Sequence, residues 1–156
     1  MDDQLRATAF DAFQQLQLPA NVSLESLVER LELLRGRRIE VVETEHLSGK
    51  KICGLWIPRE EIDVVYHAVT EGLLHRQQMI LHELSHMILR HDEQGGAAGQ
   101  GIRVFEALSG EVVKKALARG DFRCDLEVTA EYLADLLAAA IRDASQEIYD
   151  YEAYFE

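Results

Sequence analysis

The chain reads as an α+β protein, a small three-stranded sheet packed against helices. Three observations predict this. Short β-branched runs separated by turn residues occupy the stretch from Ile39 to Tyr66. Helical apolar spacing flanks that stretch on both sides. His82-Glu83-Leu84-Ser85-His86 lies inside an apolar run, with Met79-Ile80-Leu81 before it and Met87-Ile88-Leu89 after it.

Taken in order, Leu5, Ala9, Ala12, Phe13 and Leu16 recur at helical spacing, and Pro19 ends that helix. Ser23 caps a second helix with Leu24, Leu27, Val28, Leu31 and Leu34 inward, stopped at Gly36. Ile39 to Thr44 is a strand, Ser48-Gly49-Lys50 a turn, and Ile52 to Ile57 the next strand. Pro58 opens a turn, and Ile62 to Tyr66 alternate as a third strand. The helix carrying the histidines runs from about Thr70 to Arg90. Residues 95–101 contain four glycines and read either as a flap over a cleft or as a connector. Phe105 to Ala118 is expected to be helical, and residues 125–142 form the last strong helix. The sheet is expected to be antiparallel or mixed.

At 156 residues the chain is expected to form one domain, 1–156, with an N-terminal helix within 1–20 and an acidic, aromatic tail at 146–156. That tail is expected to fold back over its own core, with docking on a basic partner and disorder as the alternatives. No run of 18 apolar residues predicts a membrane span, and the acidic start Met1-Asp2-Asp3-Gln4 predicts no signal peptide. Two distant cysteines, Cys53 and Cys124, fit a reducing cytoplasmic setting. A net charge of −12 argues against direct nucleic-acid binding and is compatible with a basic protein partner.

His82 and His86 are four residues apart, so their imidazoles share one helix face, roughly 6 Å apart at Cβ, close enough to grip one ion. Glu83 is turned by about 100° from His82, so it flanks the ion as a general base for a water bound there. A third protein ligand is needed. His91 is about 140° around the helix from His86 and turns inward only if the helix breaks first, which Leu89 does not favour; Asp92 meets the same objection. His91 is therefore expected to be an ordinary residue of the helix C-terminus. Glu127 is the better candidate. It lies one turn before Glu131 on a helix whose apolar positions are Leu126, Ala130, Leu133, Leu137, Ala140 and Ile141. One glutamate would bind the metal while the other accepts the N–H of a ligand histidine. Cys124 is a weaker option, at or before the first turn of that helix.

His82-Glu83-x-x-His86, followed by Glu127-x-x-Ala130-Glu131-x-x-Ala134-x-Leu136-Leu137, resembles the ImmA/IrrE family of metallo-endopeptidases. Gly54-Leu55-Trp56-Ile57-Pro58 and Ile62 to Tyr66 are similar to the strands leading into that family's metal helix, so the resemblance covers about residues 25–140. Ser85 stands where the family commonly has Gly, and Glu131 where it usually has Asn; no Met-Pro follows Leu137. The resemblance implies a zincin-like, gluzincin-like fold, Zn2+ as cofactor, and Glu127 as third ligand. It also implies a helix-turn-helix repressor as protein substrate or partner. The competing expectation is a non-catalytic metal-binding module, regulatory or of the toxin–antitoxin kind, that sequesters a partner. Tyr66, His67, His75 and Tyr132 are further polar candidates nearby, each expected to be structural rather than chemical.

Overall fold

A computed structural model of the chain describes residues 2–47, 54–91 and 124–155. The turn at 48–50, the glycine loop at 95–101, the helix expected at 105–118, Cys53 and Asp92 lie outside the described residues, as does the Cys124 side chain. Among the described residues the order is α1 (Asp2–Gln15), α2 (Leu24–Arg35), β1 (Arg38–Thr44), a single 3-10 turn, β2 (Gly54–Pro58), β3 (Ile62–Ala68), α3 (Leu73–Ile88) and α4 (Cys124–Phe155). Among the described residues the architecture is α+β, with four helices and a three-stranded mixed sheet.

The start of α2 follows from its cap. The Ser23 hydroxyl accepts from Ser26 N–H, and the Ser26 hydroxyl accepts from Ser23 N–H, so two otherwise unpaired donors are satisfied at once. Gly36 ends the helix at φ +65°, a conformation that costs glycine nothing. Leu27 and Leu31 are buried as expected, but Leu34 is exposed and does not face the core. Arg35, the next residue, reaches the sheet instead.

The sheet order is β1-β3-β2, with β1 parallel to β3 and β2 antiparallel to β3. A tight connection, closed by Arg59 N–H donating to Ile62 O at 2.8 Å, makes β2 and β3 a hairpin. The central strand carries Asp63, which is 0% exposed. Its carboxylate accepts from Arg35 Nε at 2.8 Å, Arg37 Nε at 3.3 Å and Trp56 Nε1 at 3.1 Å. A buried charge is tolerated only when so matched. Arg37 also donates to the carbonyls of Glu60 and Ile62, and so ties the hairpin turn to the end of α2.

The main core gathers Ala9 and Leu16 of the N-terminal segment and Leu27 and Leu31 of α2. It adds Trp56 and Val65 of the sheet, Ile80, Leu81, Leu84 and Met87 of α3, and Leu133, Leu137 and Ile141 of α4. Each fully buried leucine contributes about 1.5–3 kcal/mol. α3 packs on α4 and on β2 and β3, so its second half, from Met79 to Met87, is almost wholly buried. Ser85 is accommodated there because its hydroxyl donates to Leu81 O at 2.7 Å.

Two boundaries depart from the sequence reading. α3 begins at Leu73 and ends at Ile88, not at Thr70 and Arg90. Its end is a Schellman turn: Arg90 N–H donates to Met87 O and His91 N–H to His86 O, with Arg90 at φ +57°. A non-glycine residue there costs about 1 kcal/mol. α4 continues past 142 to Phe155, so the tail extends that helix and does not fold back as a separate segment. No helix among the described residues is long and apolar enough to cross a membrane.

Candidate metal centre

Two ladders of side chains face each other across the seam between α3 and α4. On α3, Gln78, His82 and His86 succeed one another at four-residue steps; on α4, Asp135, Glu131 and Glu127 do so in the opposite direction. The rungs meet. Gln78 Nε2 donates to Asp135 Oδ1 at 3.3 Å and to Glu131 Oε1 at 3.5 Å. His82 Nδ1 lies 2.9 Å from Glu131 Oε2, and His82 Nε2 lies 2.8 Å from Glu127 Oε2. His86 Nε2 lies 3.2 Å from Glu127 Oε1 and 3.2 Å from His82 Nε2. The sequence identified four of these six residues. Gln78 and Asp135 were missed, although each is one turn beyond a recognised residue on the same face.

His82, His86 and Glu127 offer ligand atoms that all lie within 4.8 Å of one another, a group that can hold a metal ion. The donor set fits. Two imidazole nitrogens and a carboxylate oxygen are ordinary ligands of a divalent transition metal. Ligand bonds of about 2.0–2.1 Å in a tetrahedron require donor separations of about 3.3–3.4 Å. Here the two Nε2 atoms are 3.2 Å apart, and each meets a different Glu127 oxygen, His82 Nε2 at 2.8 Å from Oε2 and His86 Nε2 at 3.2 Å from Oε1. Glu131 meets the opposite nitrogen of His82, where a carboxylate acceptor leaves the Nε2 lone pair directed at the centre.

Glu83 is buried beside this group. Trp56 backbone N–H donates to its carboxylate. Gly54 makes the space: a Cβ at that position would stand 2.9 Å from Glu83 Cγ, 3.2 Å from Glu83 Oε1 and 3.2 Å from Tyr66 O. β2, an outer strand of the sheet among the described residues, thus cradles the carboxylate on its backbone.

The charges are strongly coupled. Burial lowers the His82 pKa, but the hydrogen bond to Glu127 and the charges of Glu83, Glu127 and Glu131 outweigh it and raise it to about 9. Burial raises the Glu127 pKa, yet hydrogen bonds and charge from His82 and His86 hold it well below the usual carboxylate range. Glu83 goes the other way. Burial, with the Glu127 charge adding to it, pushes its carboxyl up against the lowering effect of His86, His82 and the Trp56 N–H. Two neighbouring carboxylates are thereby driven apart in proton affinity, the condition under which one serves as ligand and the other as acid and base. Asp135 is raised as well, by burial and then by the Glu131 charge.

The remaining candidates sort clearly. His91 is not an ordinary helix-terminal residue: it is buried at 2% exposure, with its Nδ1 2.7 Å from His86 Nδ1. The expectation failed because the helix does break, on Arg90, and no glycine signals it. His67 is buried with Nδ1 3.0 Å from Ala68 O, so that nitrogen carries the proton. His75 is exposed beside Thr70 Oγ1, and Tyr132 lies under Arg6, whose Cζ is 4.8 Å from the ring centroid. Compared with protein families, curated proteins and solved structures, the chain finds no match.

Proposed function

We propose that the protein is a zinc-dependent endopeptidase of the ImmA/IrrE kind, with a zincin-like fold, acting in the cytoplasm on a helix-turn-helix transcriptional regulator. The observation that supports this best is the juxtaposition of a His82–His86–Glu127 donor group with a buried carboxyl, Glu83, held by the β2 backbone. A purely structural metal site needs the donors but has no use for Glu83.

Zinc held there would supply a Lewis acid that acidifies a bound water and polarises the scissile carbonyl. Glu83 would take the water's proton as the water oxygen bonds to the scissile carbonyl carbon, and would deliver that proton to the amine nitrogen as the C–N bond breaks. Its raised proton affinity suits both halves of that transfer. Glu131 fixes the His82 ring, and Glu127 stays ionised because its own proton affinity is depressed. The net charge of −12 favours a basic partner, as DNA-binding regulators are.

The reading is tested by incubating the zinc-loaded protein with a co-purifying helix-turn-helix regulator and with a proteome-derived peptide library, and scoring new amino termini by mass spectrometry. Cleavage by wild type but not by Glu83→Gln supports it. A zinc-loaded wild type that cuts neither leaves the metal-binding regulatory module in its place.

A further inference from the structure

We propose that His91 is a positioning residue for the metal site: its Nδ1 accepts the Nδ1–H of His86 and so holds that imidazole with the Nε2 lone pair facing Glu127 and His82. The inference rests on the zinc-site reading above.

Three observations carry it. First, the two Nδ1 atoms are 2.7 Å apart, with ring centroids 5.0 Å apart at 63°. Two imidazole nitrogens at that distance must be one donor and one acceptor. Second, both rings are buried, each at 2% exposure, so bulk water does not stand in for either partner. Third, the contact is built by the backbone. In a Schellman turn the residue two past the cap bonds its N–H to the carbonyl three before it, and their side chains meet. Here those two residues are His91 and His86, joined at 3.0 Å. That side-chain contact is usually apolar; here it is a hydrogen bond between rings.

The direction of the bond decides whether His86 can ligate. If His86 Nδ1 donates, its Nε2 carries a lone pair aimed at the donor group. If His86 Nδ1 accepts, the proton sits on Nε2, pointing at Glu127 Oε1 and His82 Nε2, and ligation is blocked. A metal ion selects the first arrangement, and His91 is then the acceptor, with its own proton on Nε2. The two ligand histidines are thus supported differently, His82 by a carboxylate and His86 by a neutral ring.

The test uses the full chain loaded with Zn2+ alone. His91→Leu removes the acceptor at similar volume; His91→Asn keeps an acceptor where Nδ1 stood. Chelator competition should show zinc affinity falling by about 10-fold or more in His91→Leu and staying within about threefold in His91→Asn. Proton NMR should show a slowly exchanging downfield His86 Nδ1–H in wild type and His91→Asn, lost in His91→Leu. Equal affinities in wild type and His91→Leu overturn the inference while leaving the metal site standing, and so does equal loss in both variants, which would mark a packing effect. If His91→Leu fails to fold, absence of the protected proton from wild type still overturns it. A wild type that takes up no zinc removes the metal site and this inference together.

Discussion

Gly54 Cα lies against the Glu83 side chain so closely that a methyl group cannot be added between them: it would stand 2.9 Å from Glu83 Cγ. Gly54→Ala should therefore displace Glu83 from the Trp56 N–H and destabilise the fold by about 1–3 kcal/mol. Because the metal ligands come from α3 and α4, zinc affinity should change little. Placing the same change in a Glu83→Ala background removes the crowded atom. Urea unfolding of the single and double variants should show that alanine at 54 costs less when Glu83 is gone.

Zinc affinity should track Glu131. Its carboxylate meets His82 Nδ1 at 2.9 Å, so Glu131→Ala should weaken binding by roughly 10–100-fold without abolishing it. Glu127→Ala, by contrast, should release the ion. Titration against a chelator separates the two; full retention in Glu127→Ala would remove that residue from the ligand set.

Much of this centre was legible in the primary structure because it is periodic. His82 with His86 and Glu127 with Glu131 are each one helical turn apart within apolar runs, and periodicity survives folding. The Ser23 cap and the Gly36 stop were legible for the same local reason. What escaped depends on tertiary contact or on unusual backbone. Arg90 adopts φ +57° without being glycine, so nothing announced the break that turns His91 inward. Gly54 read as one residue of a strand from Ile52 to Ile57; its role appears only when β2 meets α3. Asp63 sits in an alternating strand as any polar residue would, and its partners Arg35 and Arg37 lie 28 and 26 residues away.

Asp63→Ala should destabilise the protein by about 2–4 kcal/mol, since it strips a buried anion from two arginines and an indole N–H. Arg35→Ala should cost less, because Arg37 and Trp56 still serve Asp63. Comparative urea denaturation measures both. The reverse order would mean that Arg35 acts mainly through its packing over the Trp56 ring, 5.2 Å from the guanidinium carbon.

Stability of the zinc-free protein should fall on the alkaline side. The His82 pKa is raised from 6.5 to about 9, so its contribution is fully present below pH 6.5 and is lost as pH rises through 9. Glu127 is depressed, so its contribution is present above its ordinary value near 4.5 and fades as pH falls below it. Glu83 is raised, so ionisation of the unfolded chain above pH 4.5 works against the fold. Zinc binding requires His82 to be deprotonated, so the stabilisation zinc adds should grow between pH 6.5 and 9. Thermal melts with and without zinc across that range test both trends; parallel curves would contradict the coupling.

The most direct measurement compares wild type and Glu83→Gln in one preparation, by elemental analysis and by intact mass of a co-purified regulator. Both forms should carry about one zinc per chain, and both should bind the regulator, while cleavage falls at least about 100-fold in the variant. Equal cleavage by the two forms, or none by a fully zinc-loaded wild type, would contradict the assignment of Glu83 as the general base of a peptidase.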